Sequence, residues 1–168
     1  PDGTRIAVSV SRGGRDELWV KVLGSGAFTR LSARGTYNYR PSWSPDGRHV
    51  LFTSDQQGPA TTYLVAADGS TPPRRLLSTH SSVDEAAYSR DGRWLLLRTG
   101  SGGGRDIVAL RTDGDSTERA IAAGPAEEFS PALSPDGKWI AYASDETGRT
   151  EVYVRPFPEA GSARYAVS

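Results

Sequence analysis

His49 and His80 are the only imidazoles in the chain, so acid–base or nucleophilic chemistry near neutral pH would draw on them first. His80 lies within Ser78-Thr79-His80-Ser81-Ser82, close to Asp84, which collects the residue types of a hydrolytic triad. No Gly-x-Ser-x-Gly turn presents a serine to that histidine, so the grouping has triad composition without triad spacing. Asp113-Gly114-Asp115-Ser116-Thr117-Glu118 gathers oxygens that calcium could use, but the spaced ligands of an EF-hand loop are missing and the segment reads as a turn. Gly102-Gly103-Gly104 falls between two strand-like segments with no Gly-Lys-Ser/Thr after it, which excludes a phosphate-binding loop. No catalytic residue, metal ligand or cofactor is therefore assigned. What remains is a set of aromatic and oppositely charged side chains suited to protein or peptide contacts: Arg34, Tyr37, Tyr39, Arg40, His80, Asp84, Glu85, Glu127 and Glu128.

The elements that hold these residues repeat. The turn Pro1-Asp2-Gly3 returns as Pro45-Asp46-Gly47, Arg90-Asp91-Gly92 and Pro135-Asp136-Gly137, so its aspartates step by 44, 45 and 45 residues. Pro sets the entry φ, the Asp carboxylate can take nearby backbone N–H groups, and Gly accepts positive φ without a Cβ clash. Four residues after each Asp an apolar residue begins an alternating strand (Ile6, Val50, Leu95, Ile140), and His49 takes the place that Arg5, Trp94 and Trp139 hold in the other copies. That periodic placement makes His49 a strand residue. A second strand follows at Leu18-Trp19-Val20, Thr62-Tyr63-Leu64, Ile107-Val108-Ala109 and Val152-Tyr153-Val154. A third, shorter segment lies near Leu31, Leu76, Ile121 and Val167, and a further strand carries Trp43, Tyr88 or Leu133 into the next turn. Trp19, Trp43, Trp94 and Trp139 all fall on strands and are expected to pack in the core or on blade surfaces.

Four-stranded antiparallel units repeating at this length define an all-β fold, a β-propeller with about four blades, the first lacking its innermost strand. The chain is expected to form a single propeller region over 1–168, with repeats at 1–43, 44–88, 89–133 and 134–168. Antiparallel alternation sends the Asp-Gly turns to one rim and the longer, more varied loops carrying the contact residues to the other.

Pro41-Ser42-Trp43-Ser44-Pro45-Asp46-Gly47-Arg48 and Leu133-Ser134-Pro135-Asp136-Gly137-Lys138-Trp139-Ile140-Ala141-Tyr142 resemble the WD40-like repeat built around Pro-Asp that is found in TolB-like propellers. The likeness runs over essentially the whole chain, with Arg90 replacing Pro in the third unit. The repeat architecture, the lack of a catalytic set and the loop composition point to a noncatalytic binding or scaffold module of a larger protein, and the resemblance implies a bacterial, extracytoplasmic setting. TolB-like propellers usually have more than four blades, so further blades or self-association are expected to complete this one. Similar blades also gate prolyl-oligopeptidase-like and tricorn-like peptidases, and Glu151-Val152-Tyr153-Val154-Arg155-Pro156-Phe157-Pro158 looks like blades attached to bacterial serine/threonine kinases. On either alternative the chemistry lies in another domain.

Composition agrees with a turn-rich binding domain. Of 168 residues, 19 are Gly and 11 Pro, which punctuates the chain into short strands. Basic and acidic residues number 20 each, leaving no net field to attract nucleic acid or an anionic membrane. There is no Cys for a disulfide or thiolate site, and no apolar run is long enough to span a bilayer. The absence of Met and a start in mid-motif point to a piece of a longer chain.

Overall fold

The computed structural model describes residues 2–31, 34–77, 82–100, 104–114, 117–159, 161 and 163–168. Within them the chain forms four sheets, each built from strands consecutive in sequence. The first has three strands, β1 (Arg5–Arg12), β2 (Arg15–Val22) and β3 (Phe28–Arg30). The second runs β4 (Asn38–Trp43), β5 (His49–Ser54), β6 (Thr61–Ala66) and β7 (Arg74–Arg75). The third is β8 (Val83–Tyr88), β9 (Trp94–Thr99), β10 (Asp106–Arg111) and β11 (Glu118–Ala122), and the fourth is β12 (Glu128–Leu133), β13 (Trp139–Ser144), β14 (Glu151–Pro156) and β15 (Tyr165–Ala166). These are the antiparallel blades of a propeller, and the described residues contain no helix. The chain divides into two compact units, Pro1–Ala87 and Tyr88–Ser168.

Each unit closes a core between two sheets. In the first, Leu18, Val20 and Leu31 meet Val50, Phe52, Tyr63, Val65 and Ala67, with Trp43 half-buried against them. In the second, Leu96, Ile107, Ala109, Ile121 and Ala122 meet Ile140, Tyr142, Tyr153 and Phe157. Ring pairs at equivalent repeat positions, Phe52–Tyr63 and Tyr142–Tyr153, both have centroids 5.9 Å apart. Each buried large side chain contributes about 1.5–3 kcal/mol, so these clusters are what make the sheets pack face to face.

The recurring turn is a knot of hydrogen bonds. Asp46 Oδ1 accepts the Ser44 hydroxyl (2.5 Å) and the Arg48 N–H (3.0 Å), while Ser44 Oγ accepts the His49 N–H (2.9 Å). Ser89, Asp91, Arg93 and Trp94 repeat this at 2.6, 3.1 and 2.9 Å, although Arg90 stands where Pro would be. Ser134, Asp136, Lys138 and Trp139 do so again, and Asp2 takes both the N–H and the hydroxyl of Thr4. Gly3, Gly47, Gly92 and Gly137 have φ between 66° and 75°, left-handed backbone that a Cβ would strain. The Ser hydroxyl, then the backbone N–H, holds the carboxyls of Asp46, Asp91 and Asp136 below the usual range. For Asp2 the Thr4 N–H is the larger cause.

The tryptophans divide by what lies over them. Trp94 packs edge-on to Phe157 at 5.4 Å, whereas Trp139 leans on Tyr165 and remains 41% exposed. Trp139, Val152, Tyr165 and Val167 leave an apolar face open on the fourth sheet. On the first sheet Val10, Trp19 and Phe28 line an open groove of about 410 Å³.

Candidate functional site

Opposite the Asp-Gly turns, the loops between sheets are held down by carboxylates. In the first unit Asp55 Oδ1 accepts the N–H groups of Thr36 (2.7 Å) and Tyr37 (3.0 Å), two adjacent donors on one oxygen. Gly35 makes room for this: at φ +85° a Cβ there would sit 2.7 Å from Asp55 Oδ1. Asn38, the first residue of β4, ties the same loop from within through Nδ2 bonds to the carbonyls of Asp16 (2.8 Å) and Arg34 (3.1 Å). Tyr37 is thereby presented at 56% exposure from a fixed backbone. Arg34 is exposed beside it, and Tyr39 is half-buried.

The innermost strands carry the next contact residues. Arg40 pairs with Glu85 at 2.5 Å, and the Asp84 carbonyl accepts the Thr53 hydroxyl. Arg40 has φ 53° and its repeat equivalent Ser130 has φ 54°, both at bulges where the register slips, between Tyr39 and Ser42 and between Phe129 and Ala132. A non-glycine residue in this region costs of order 1 kcal/mol or more, so the bulge is enforced by its surroundings.

In the second unit Asp145 Oδ1 accepts the Glu127 N–H at 2.9 Å, the counterpart of the Asp55 clamp. Glu127 then bridges two cations: Arg98 Nη2 at 2.8 Å and Arg105 Nη1 at 3.2 Å. Arg98 is 9% exposed, and its Nε also donates to the Glu128 carbonyl at 2.5 Å. A buried guanidinium is tolerable because these charge-assisted bonds replace its water. Glu128 itself is 5% exposed, far more buried than a loop residue. Burial, followed by the hydrogen bond with Ser144 acting the other way and by repulsion from Glu146 and Asp106, leaves its carboxyl above the usual range.

Thus Arg34, Tyr37, Tyr39, Arg40, Asp84 and Glu85 fall within the first unit, and Glu127 and Glu128 within the second. His80, Asp115, Ser116, Gly102 and Gly103 lie outside the described residues. Among the described residues no group of three or more His, Asp or Glu side chains is arranged to hold a metal ion. Asp55, Asp145 and Arg98 are contributors that residue type and spacing did not single out. The signal for the first two was the acidic residue immediately after β5 and β13 at the same repeat position.

Sheets of this topology whose innermost two strands are joined by a Ser-x-Asp-Gly turn define a Pro-Asp-type propeller repeat. A family model described as the TolB beta propeller domain matches residues 1–119, and the chain belongs to this family. The Tol-Pal system protein TolB of Anaeromyxobacter dehalogenans is 33% identical over 84 residues, covering 50% of this chain and 19% of that protein. The match therefore spans about a fifth of that relative's length. Among solved structures, a putative TolB from Agrobacterium tumefaciens superposes with a TM-score of 0.83 at 21% identity, over 100% of this chain and 62% of that one. A prolyl endopeptidase gives 0.67 at 16% identity, over 99% of this chain and 27% of that one, a likeness of fold alone.

Proposed function

We propose that this segment is a noncatalytic protein- or peptide-binding propeller module of a larger bacterial protein, using the loops opposite the Asp-Gly turns. The observation that carries the reading is the clamped loop of the first unit. Asp55 fixes the backbone of Thr36 and Tyr37, so an exposed tyrosine is offered to a partner with little ordering left to do. Tyr is also the residue type that gives large contact area at low entropy cost. Arg34, Arg40 and Glu85 supply polar contacts in the same unit, and Glu127 and Glu128 do so in the other. The open apolar faces at Val10, Trp19 and Phe28 and at Trp139 and Tyr165 are covered, on this reading, by further blades. An extracytoplasmic setting goes with kinship to a Tol-Pal system protein. The likeness to a peptidase propeller adds nothing for a gating role, because it extends only to fold.

The test is capture and crosslinking of partners by the wild-type chain and by Tyr37→Ala, Tyr39→Ala and Glu127→Ala. Loss of a captured protein in at least one variant is expected. Capture unchanged by all of them would dismiss the loop face as the binding surface.

A further inference from the structure

The second unit contains an acidic cavity of about 420 Å³ lined by Ala123, Gly124, Pro125, Ala126, Glu128, Asp145, Glu146 and Gly148. Its walls carry three carboxyl side chains and no basic one. Two of the three are engaged. Glu146 pairs with Arg164 at 2.6 Å, and Asp145 Oδ1 receives the Glu127 N–H. Glu128 differs: it is 95% buried by its 5% exposure, and its Oε2 has no hydrogen-bond partner among the described residues. A carboxylate withdrawn from water is costly when the one cation acting on it, Arg164, is already paired with Glu146, and nothing about strand β12 requires a carboxylate at this position. The repeat equivalent Val83 is 0% exposed and begins β8 with a hydrocarbon side chain.

We propose that this cavity receives a primary ammonium group, the side chain of a lysine on the protein partner, with Glu128 as its counter-charge. The inference rests on the loop-face reading above and adds the chemistry of one contact. Three features select the ligand. A multivalent metal ion would need three or more carboxylate or imidazole ligands in coordinating positions, and the described residues offer none. A guanidinium binds best to both oxygens of a carboxylate, but one oxygen of Glu128 is engaged by Ser144, which leaves a single acceptor. An ammonium on a slender alkyl stem fits better: Ala123, Pro125 and Ala126 offer apolar walls to the methylenes, and Asp145 adds a second carboxylate to the lining.

The test is an amide NMR titration of the 168-residue chain with n-butylammonium chloride, using equal concentrations of NaCl and of n-butanol as references. Saturable shifts at Gly124, Ala126 and Gly148 are expected with n-butylammonium alone, with affinity reduced at least tenfold in Glu128→Gln. If that variant loses its dispersed spectrum, Glu128→Asp, which draws the carboxyl back by one methylene, is expected to weaken the same shifts. Shifts that never saturate, that NaCl reproduces, or that persist unchanged in the variants would overturn the proposal. Capture of a protein partner equally by wild type and Glu128→Gln would remove the ammonium site and leave the loop-face reading standing. Saturable binding of n-butylammonium by a chain that captures nothing would do the reverse.

Discussion

Replacing Ser89 with Ala isolates what the recurring turn is worth. Ser89 is 4% exposed; its hydroxyl donates to Asp91 Oδ1 at 2.6 Å and accepts the Trp94 N–H at 2.9 Å. Alanine removes both bonds and leaves a backbone donor at the head of β9 without its acceptor. The two losses differ in size. The Asp91 carboxylate is largely in solvent, so water replaces the hydroxyl at small cost. The Trp94 N–H sits where water enters poorly, and an unmet buried donor costs about 1–3 kcal/mol, so the substitution is expected to cost about 2 kcal/mol. For a chain of this length that lowers Tm by about 4–8 °C. Urea denaturation followed by tryptophan fluorescence should show a lower midpoint at unchanged slope. The same change at half-buried Ser134, whose turn is geometrically alike, should cost distinctly less because water can reach its vacated donor. Equal losses at the two sites, or none at either, would refute the assignment of the energy to a buried N–H. A pH series adds a sign. A depressed Asp91 pKa contributes stability above the unfolded-state value of about 4, and that stability fades as pH falls through the folded value. The gap between wild type and Ser89→Ala should therefore narrow below pH about 4.

Three further outcomes follow from the loop clamps and the buried acid. Asp55→Ala should speed hydrogen exchange at Thr36 and Tyr37 at least tenfold by NMR, with Asn restoring part of the protection through its remaining oxygen. Gly35→Ala should destabilise by about 1–3 kcal/mol from backbone strain plus the Asp55 clash, and less in an Asp55→Ala background, as a denaturation double-mutant cycle would reveal. Glu128→Gln should raise stability at pH 7, because ionising the buried carboxyl costs free energy. That gain should vanish below the unfolded-state value of about 4, where the acid is neutral in both states, and its absence at pH 7 would contradict the burial argument.

The turns, the strand order and the missing innermost strand of the first sheet were legible because each depends on local chemistry: Ser, Asp and Gly at fixed offsets, and apolar residues alternating after them. Burial was less legible, because it depends on what neighbours a strand. Trp94 and Trp139 occupy the same repeat position, yet one packs edge-on against Phe157 and the other is 41% exposed. Glu128 read as a loop residue from its place between two blades, but it opens β12 and is enclosed. Arg98 was invisible for a related reason: its repeat equivalents Thr53 and Ala143 carry no charge, and its partner Glu127 lies 29 residues away.

Asn38, Val83 and Glu128 each begin the innermost strand of their sheet, and all three are buried. One socket in the repeat thus accepts an amide that laces a loop, a hydrocarbon, or an acid, while the Ser-Asp-Gly turn beside it keeps its hydrogen bonds. The residues that form the turn are therefore separate from the residue that fills this socket. A repeat built this way can change the chemistry of one buried position by a single codon while its turn stays the same, which makes it a modular alphabet as much as a scaffold.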